Sequence, residues 1–126
     1  MDQQVREALS KTGSVIDITT TGRKTGEQRR IEIVFHNFGG TVYISGFPRP
    51  QKRSWLANLE AHPEFTFHLK HDVKADLPAT ARSITGAAER RPILQQVKDS
   101  QTGWSEVDIE DAVSMSPLVE VTFKDA

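Results

Sequence analysis

Apolar residues recur along this chain with two different periods, and the switches between them mark out its elements. Val5, Ala8 and Leu9 fall on one face at helical spacing, which predicts a short helix over 2–11, stopped at Gly13. The β-branched run 14–21 predicts a strand, followed by a turn bracketed by Gly22 and Gly26. Over 28–36, Ile31, Ile33 and Phe35 alternate with Arg30, Glu32, Val34 and His36, the period of a second strand. Asn37-Phe38-Gly39-Gly40 has the composition of a hairpin connection, and 41–46 is the third strand. Beyond the prolines at 48 and 50, Trp55, Leu56 and Leu59 form the apolar face of a helix that ends near His62-Pro63.

The alternation then returns. Phe65, Phe67 and Leu69 alternate with Thr66, His68 and Lys70, predicting a strand buried on one side. A further strand over 74–84 is expected to be interrupted at Pro78, which lacks an N–H. Thr85-Gly86 opens a helix to about 100, and Ser105 is read as the cap of another to about 115, with Glu106 and Asp108 in its first turn. The last strand, 117–123, places Val119, Val121 and Phe123 on one face. Six short strands, a helix between the third and fourth, and two helices before the sixth describe an α+β fold over one domain, 1–126. Antiparallel pairing is expected, because the first connections are too short for parallel crossovers.

Composition narrows the setting. The chain is 37% apolar with nine aromatic residues, enough to seed a core, and no apolar run nears the roughly 20 residues of a membrane span. Its start, Met1-Asp2-Gln3-Gln4, lacks the order of a signal peptide, and a cytoplasmic location is the expectation. The absence of cysteine excludes disulfides, thiolate zinc and a cysteine nucleophile.

Charge adds more than its net value of −1 implies. Residues 21–53 hold seven basic side chains against Glu27 and Glu32, which points to a small anionic partner. The densest segment is Thr19-Thr20-Thr21-Gly22-Arg23-Lys24-Thr25-Gly26-Glu27-Gln28-Arg29. Here a strand runs into a glycine-bounded turn that offers backbone N–H groups and two cations, and a third cation begins the next strand. Such groups grip a phosphate or carboxylate, although a solvated basic hairpin is the plainer alternative. The residues do not follow the order of a Walker loop.

The run 18–29 resembles the Thr-Thr-Thr-Gly-Arg-Lys-Ser/Thr-Gly-x-x-Arg signature of the deazaflavin-dependent nitroreductases and quinone reductases. Trp55-x-x-Asn58-Leu59-x-Ala61-x-Pro63 is similar to that family's second block, and the resemblance extends over about 14–123. It implies a split β-barrel like the flavin mononucleotide (FMN)-binding ones, with a helix inserted midway. It also implies coenzyme F420 as cofactor and hydride transfer from reduced F420 to a quinone, enone or nitroaromatic. Carried over by position, Lys24 and Arg29 hold the phosphate and acidic tail of the cofactor, with Arg23 beside them. Asn58 is a cofactor contact, and Trp55 shares its helix face. The family's Lys-Gly-Gly loop is replaced here by Gly46-Phe47-Pro48-Arg49-Pro50, so Arg49, Lys52 and Arg53 become candidates for the missing cation. Tyr43 is the only tyrosine and lies mid-strand, so the family's substrate tyrosines have no counterpart.

Hydride chemistry needs no acid–base constellation, since the cofactor carries the reaction. Ser45 is the candidate to assist a developing oxyanion. His68 and His71 point to opposite sides of a strand, so no metal site is expected. His36 and His62 read as turn and helix-end residues, Trp104 as an anchor between the C-terminal helices, and Glu89-Arg90-Arg91 as an exposed helix face, with Arg90 or Arg91 lining a mouth as the alternative. The main rival reading is a barrel that binds FMN or a lipid without F420 chemistry. Nucleic-acid binding is disfavoured, for the chain has neither a basic pI nor exposed aromatics interleaved with its cations. A small-molecule substrate and a homodimer complete the expectations.

Overall fold

The computed structural model describes residues 1–124 and closes six strands into an antiparallel barrel in the order β1-β2-β3-β6-β5-β4. In chain order these are β1 (Ser14–Thr21), β2 (Gln28–Phe38), β3 (Thr41–Ser45), β4 (Glu64–Lys70), β5 (Lys74–Ser83) and β6 (Leu118–Phe123). The helices are α1 (Gln3–Leu9), α2 (Ser54–Ala61), α3 (Ala87–Ser100) and α4 (Ile109–Met115), with one 3-10 turn at Thr102–Trp104. As expected, the first three strands are consecutive neighbours, and β1 also pairs with β4 to close the wall. Closure leaves no unpaired sheet edge.

Register follows the hydrophobic alternation. Ile18 sits opposite Ile31 and Phe67, Phe35 opposite Ile44, and Ile44 opposite Val119, so one face of every strand points into a common core. Phe35 and Phe67 meet edge-to-face with centroids 5.4 Å apart. Val5 and Leu9 of α1 and Leu59 of α2 join this core. A second core lies outside the barrel, where Ile93, Leu94 and Val97 of α3, Trp104, and Ala112 and Val113 of α4 pack with Ile84 and Leu118.

Four expectations need correction. Asn37 and Phe38 belong to β2, and the turn is only Gly39-Gly40, with φ of +64° and +93°. Two consecutive positive φ values match the right-handed twist of a tight hairpin and favour glycine. Asn37 remains a strand residue because its amide donates to Leu9 O and its Oδ1 accepts from Gly40 N. Strand β5 runs unbroken through Pro78, whose carbonyl accepts from Lys124 N, just past the end of β6. The missing N–H faces that same side, just beyond the last β5–β6 pair, so the loss is confined to one bond at the end of the ladder.

The third correction concerns α4, which begins after Asp108 rather than Ser105. Burial of Trp104 draws the preceding chain into the 3-10 turn, and Ser105 ends that turn. The Asp108 carboxylate then accepts from Glu110 N (2.8 Å) and Asp111 N (3.2 Å), a charge-assisted cap. Finally, β4 is buried on its inner face as expected, but its outer face, with Glu64 exposed and Thr66 and Lys70 half-buried, is covered at one point. His68 lies on its outer face, between Thr19 Oγ1 and Asp76 Oδ1, each at 2.7 Å.

Candidate functional site

Strand β1 delivers Thr20 and Thr21 to the end of the barrel, where the chain reverses through Gly22–Glu27 into β2. Gly22 N donates to Glu27 O (2.7 Å) and Gly26 N to Gly22 O (2.9 Å), which folds the turn back on itself. A Cβ on Gly22 would stand 2.9 Å from Thr25 Oγ1 and 3.2 Å from Glu27 O, so this close approach requires glycine. Gly26 has φ +73°.

Helix α2 lies against this turn, and Asn58 joins the two. The residue is buried; its Oδ1 accepts from Arg23 N (3.0 Å), and its Nδ2 donates to the buried Thr20 Oγ1 (3.1 Å). Asn58 therefore holds the basic turn in place. Asn58→Ala is expected to weaken F420 binding about tenfold while removing no charge. It should also cost about 1–2 kcal/mol of stability, because Thr20 loses its partner inside the fold. A fluorescence titration and a urea unfolding curve check the two effects.

Between the turn and α2 lies a cleft of about 420 Å³ lined by Arg23, Lys24, Arg29, Trp55 and Asn58, together with Thr20, Ile31 and Ser54. Five of the residues proposed from sequence as cofactor-binding therefore share one cleft. Arg23 and Lys24 have no side-chain hydrogen bond or ion pair among the described residues. Arg29 pairs with Glu27 at 3.0 Å, both exposed. The N–H groups of Lys24 and Thr25 likewise have no protein acceptor among the described residues. Several cations elsewhere are neutralised by carboxylates, as in Arg30–Asp17 and Arg91–Glu110. The basic turn keeps unspent charge and donors beside the apolar surfaces of Trp55 and Ile31, a combination that fits a cofactor with a polyanionic tail.

The other three cations lie elsewhere. Arg49, Lys52 and Arg53 line a separate cleft of about 300 Å³ with Leu56, Glu60 and Ser116. Lys52 is paired to Glu60, and Arg53 donates to Phe47 O while its Nη1 is buried without a partner. Burial, with a smaller contribution from Arg49, lowers the Arg53 pKa. Linear proximity grouped these cations with the turn, but Trp55 and Asn58 of α2 face one cleft and Leu56 and Glu60 the other.

Ser45 stands apart from both clefts. Its buried hydroxyl donates to Pro117 O at 2.7 Å, and the residue lines a third pocket of about 230 Å³ with Val34, His36, Gly46, Phe47 and Trp104. Trp104 is buried as expected and stacks on Phe47 at 5.4 Å. His36 is not a turn residue; it is 3% exposed on β2, and burial lowers its pKa to about 4, leaving a neutral ring at neutral pH. Its one sequence signal is its place beside Val34 on the face of β2 opposite Phe35, which hints that both faces are covered. Thr20 and Ile31 were also missed, being indistinguishable by type from core and strand residues. Among the described residues no three histidines or carboxylates stand close enough to hold a metal.

Residues 2–111 match the protein family described as F420H(2)-dependent quinone reductase. Solved structures share the barrel. An F420-H2 dependent reductase is 21% identical with a TM-score of 0.60, over 86% of this chain and 93% of that one. A conserved hypothetical protein of Mycobacterium tuberculosis is 13% identical at TM-score 0.72, over 98% and 81%. A protein described as a domain-swapped dimer is 19% identical at 0.63, over 95% of each chain. These likenesses establish the split β-barrel, and the family match supplies the chemistry. The chain belongs to the F420H(2)-dependent quinone reductase family, oxidoreductases that use the deazaflavin coenzyme F420.

Proposed function

We propose that this protein binds F420 by its anionic tail in the cleft between the Gly22–Glu27 turn and α2, and that it passes the hydride on to a small neutral acceptor such as a quinone. The observation that carries the reading is a glycine turn with two uncompensated cations, Arg23 and Lys24, and two free N–H groups on one cleft. Arg29 adds a third cation, Asn58 fixes the turn, and Trp55 supplies an apolar wall. Bound and reduced, F420 supplies the hydride. The protein contributes attachment and orientation. Arg49, Lys52 and Arg53 serve the distal end of a long tail in this reading, reaching it around α2. Ser45 holds the end of β3 against Pro117 beside the acceptor. The whole chain acts as one domain in the cytoplasm. The domain-swapped relative supports a homodimer.

Reduced F420 should be reoxidised by 1,4-naphthoquinone in the presence of the protein, seen as the return of the cofactor's visible absorbance. NADPH should not substitute, because the chain has no dinucleotide fingerprint. The rate at subsaturating cofactor should fall as salt rises, since the exposed cations are screened. A protein that binds FMN or a fatty acid and leaves reduced F420 untouched would contradict this reading.

A further inference from the structure

The pocket lined by Val34, His36, Ser45, Phe47, Gln101 and Trp104 has no part in gripping an anion, for none of these side chains carries a charge at neutral pH. It lies outside the barrel, between β2, β3 and the 3-10 turn. Phe47, half exposed, stacks on Trp104 at its wall. At about 230 Å³ it is below the usual range for drug-sized ligands and suits one or two fused rings.

His36 is its unusual member. The ring is 3% exposed, and Nδ1 is sealed without a hydrogen-bond partner. Nε2 likewise has no protein partner among the described residues, yet it is not sealed, and the residue lines the pocket. A buried polar ring with neither nitrogen bonded destabilises a fold, and an apolar ring of the same size would not. Its neighbour Ser45 cannot serve as donor, because its one proton goes to Pro117 O.

We propose that this pocket is the acceptor subsite, taking a neutral, ring-sized carbonyl compound, and that His36 donates a hydrogen bond from Nε2–H to its carbonyl oxygen. The inference rests on the F420 reading for its chemistry, but not for the binding it predicts. A neutral imidazole carries one N–H; with that proton on Nε2, the sealed Nδ1 is a bare lone pair and the donor meets the ligand. The same bond strengthens as the oxygen gains charge. Reduced F420 yields a hydride to the quinone and a proton to water; the quinone oxygen takes a proton from water, giving hydroquinone. His36 keeps its own proton throughout. It is thus a catalytic residue by contact with substrate, and a determinant of acceptor choice.

The two tryptophans make the test direct, since Trp55 lies in the basic cleft and Trp104 in this pocket. In a Trp55→Phe protein, 1,4-naphthoquinone should quench Trp104 saturably with no cofactor present. Adding His36→Phe should raise the quinone Kd about tenfold, whereas His36→Gln, whose amide N–H reaches a similar depth, should restore most of it. His36→Phe should melt no lower than its parent, so a lost fold cannot explain the loss. With reduced F420, kcat/KM for the quinone should fall in parallel while the F420 Kd stays unchanged. Unaltered quinone affinity in His36→Phe overturns the proposal. So does quenching without saturation, or quenching of Trp104 by F420 but not by the quinone. Failure of F420 to perturb Trp55 in a Trp104→Phe protein would instead strike the cofactor reading and leave the quinone result standing.

Discussion

Replacing Arg23 and Lys24 together with alanine is expected to weaken F420 binding by roughly 100-fold, about 3 kcal/mol. Each cation contributes a charge-assisted contact to an anionic tail, and the value per contact sits at the low end because both side chains are exposed. Neither side chain bonds to the protein, and the Arg23 contact to Asn58 runs through the backbone, so the thermal midpoint should not move. That separation of binding from stability distinguishes a binding role from a structural one. The expected sign reverses at Glu27, which pairs with Arg29 at 3.0 Å and competes with the ligand for it. Glu27→Gln should tighten binding, and its effect should vanish in an Arg29→Ala background. In turnover, the double variant should lose activity mainly through a higher cofactor KM, since these contacts exist alike in ground and transition states.

The largest effect on stability is expected at Arg90. The residue is 8% exposed, and its guanidinium donates to four carbonyls: Ile84 O (2.7 Å), Val113 O (2.8 Å), Ala112 O (3.2 Å) and Ser116 O (2.5 Å). These oxygens come from the end of β5 and the C-terminal turn of α4, where a cation also meets the negative end of the helix dipole. Arg90→Met should cost about 3–5 kcal/mol, because the four carbonyls stay buried without donors. For a chain of this length that is a fall of roughly 10–20 °C in Tm. Arg90→Lys keeps the charge but not the fork and should recover only part of the loss. F420 affinity in whatever fraction remains folded should change little, since Arg90 lines only the second cleft and its guanidinium is already spent on those four carbonyls. Chemical denaturation followed by circular dichroism gives both values.

These two sites show where the sequence was legible and where it was not. The bounds of β1 were legible, because a segment rich in β-branched residues between Gly13 and Gly22 allows few alternatives. The basic turn was legible for a similar reason: its glycines, cations and spacing are all local. Arg90 was hidden by its neighbours. Glu89 and Arg91 are exposed, pairing with Arg82 and Glu110, and read as a charged face. The rotation of α3 that turns Arg90 inward depends on where α4 ends, some two dozen residues later. Ser105 and Asp108 were equally good caps by type, and burial of Trp104 decided between them. Arg49, Lys52 and Arg53 looked like one patch with Arg23 and Lys24, because a sequence does not show that a helix stands between them.

The central claim is that the turn between β1 and β2 recognises an anionic tail. Its most direct test is a paired fluorescence titration of the native protein with intact F420 and with the deazaflavin chromophore lacking phosphate and glutamate. The account predicts much tighter binding of the intact cofactor at low salt, by on the order of 100-fold. That advantage should shrink as salt screens the cations, and it should be largely absent in the Arg23→Ala/Lys24→Ala protein. Equal affinity for the two compounds, at any salt concentration, would contradict it.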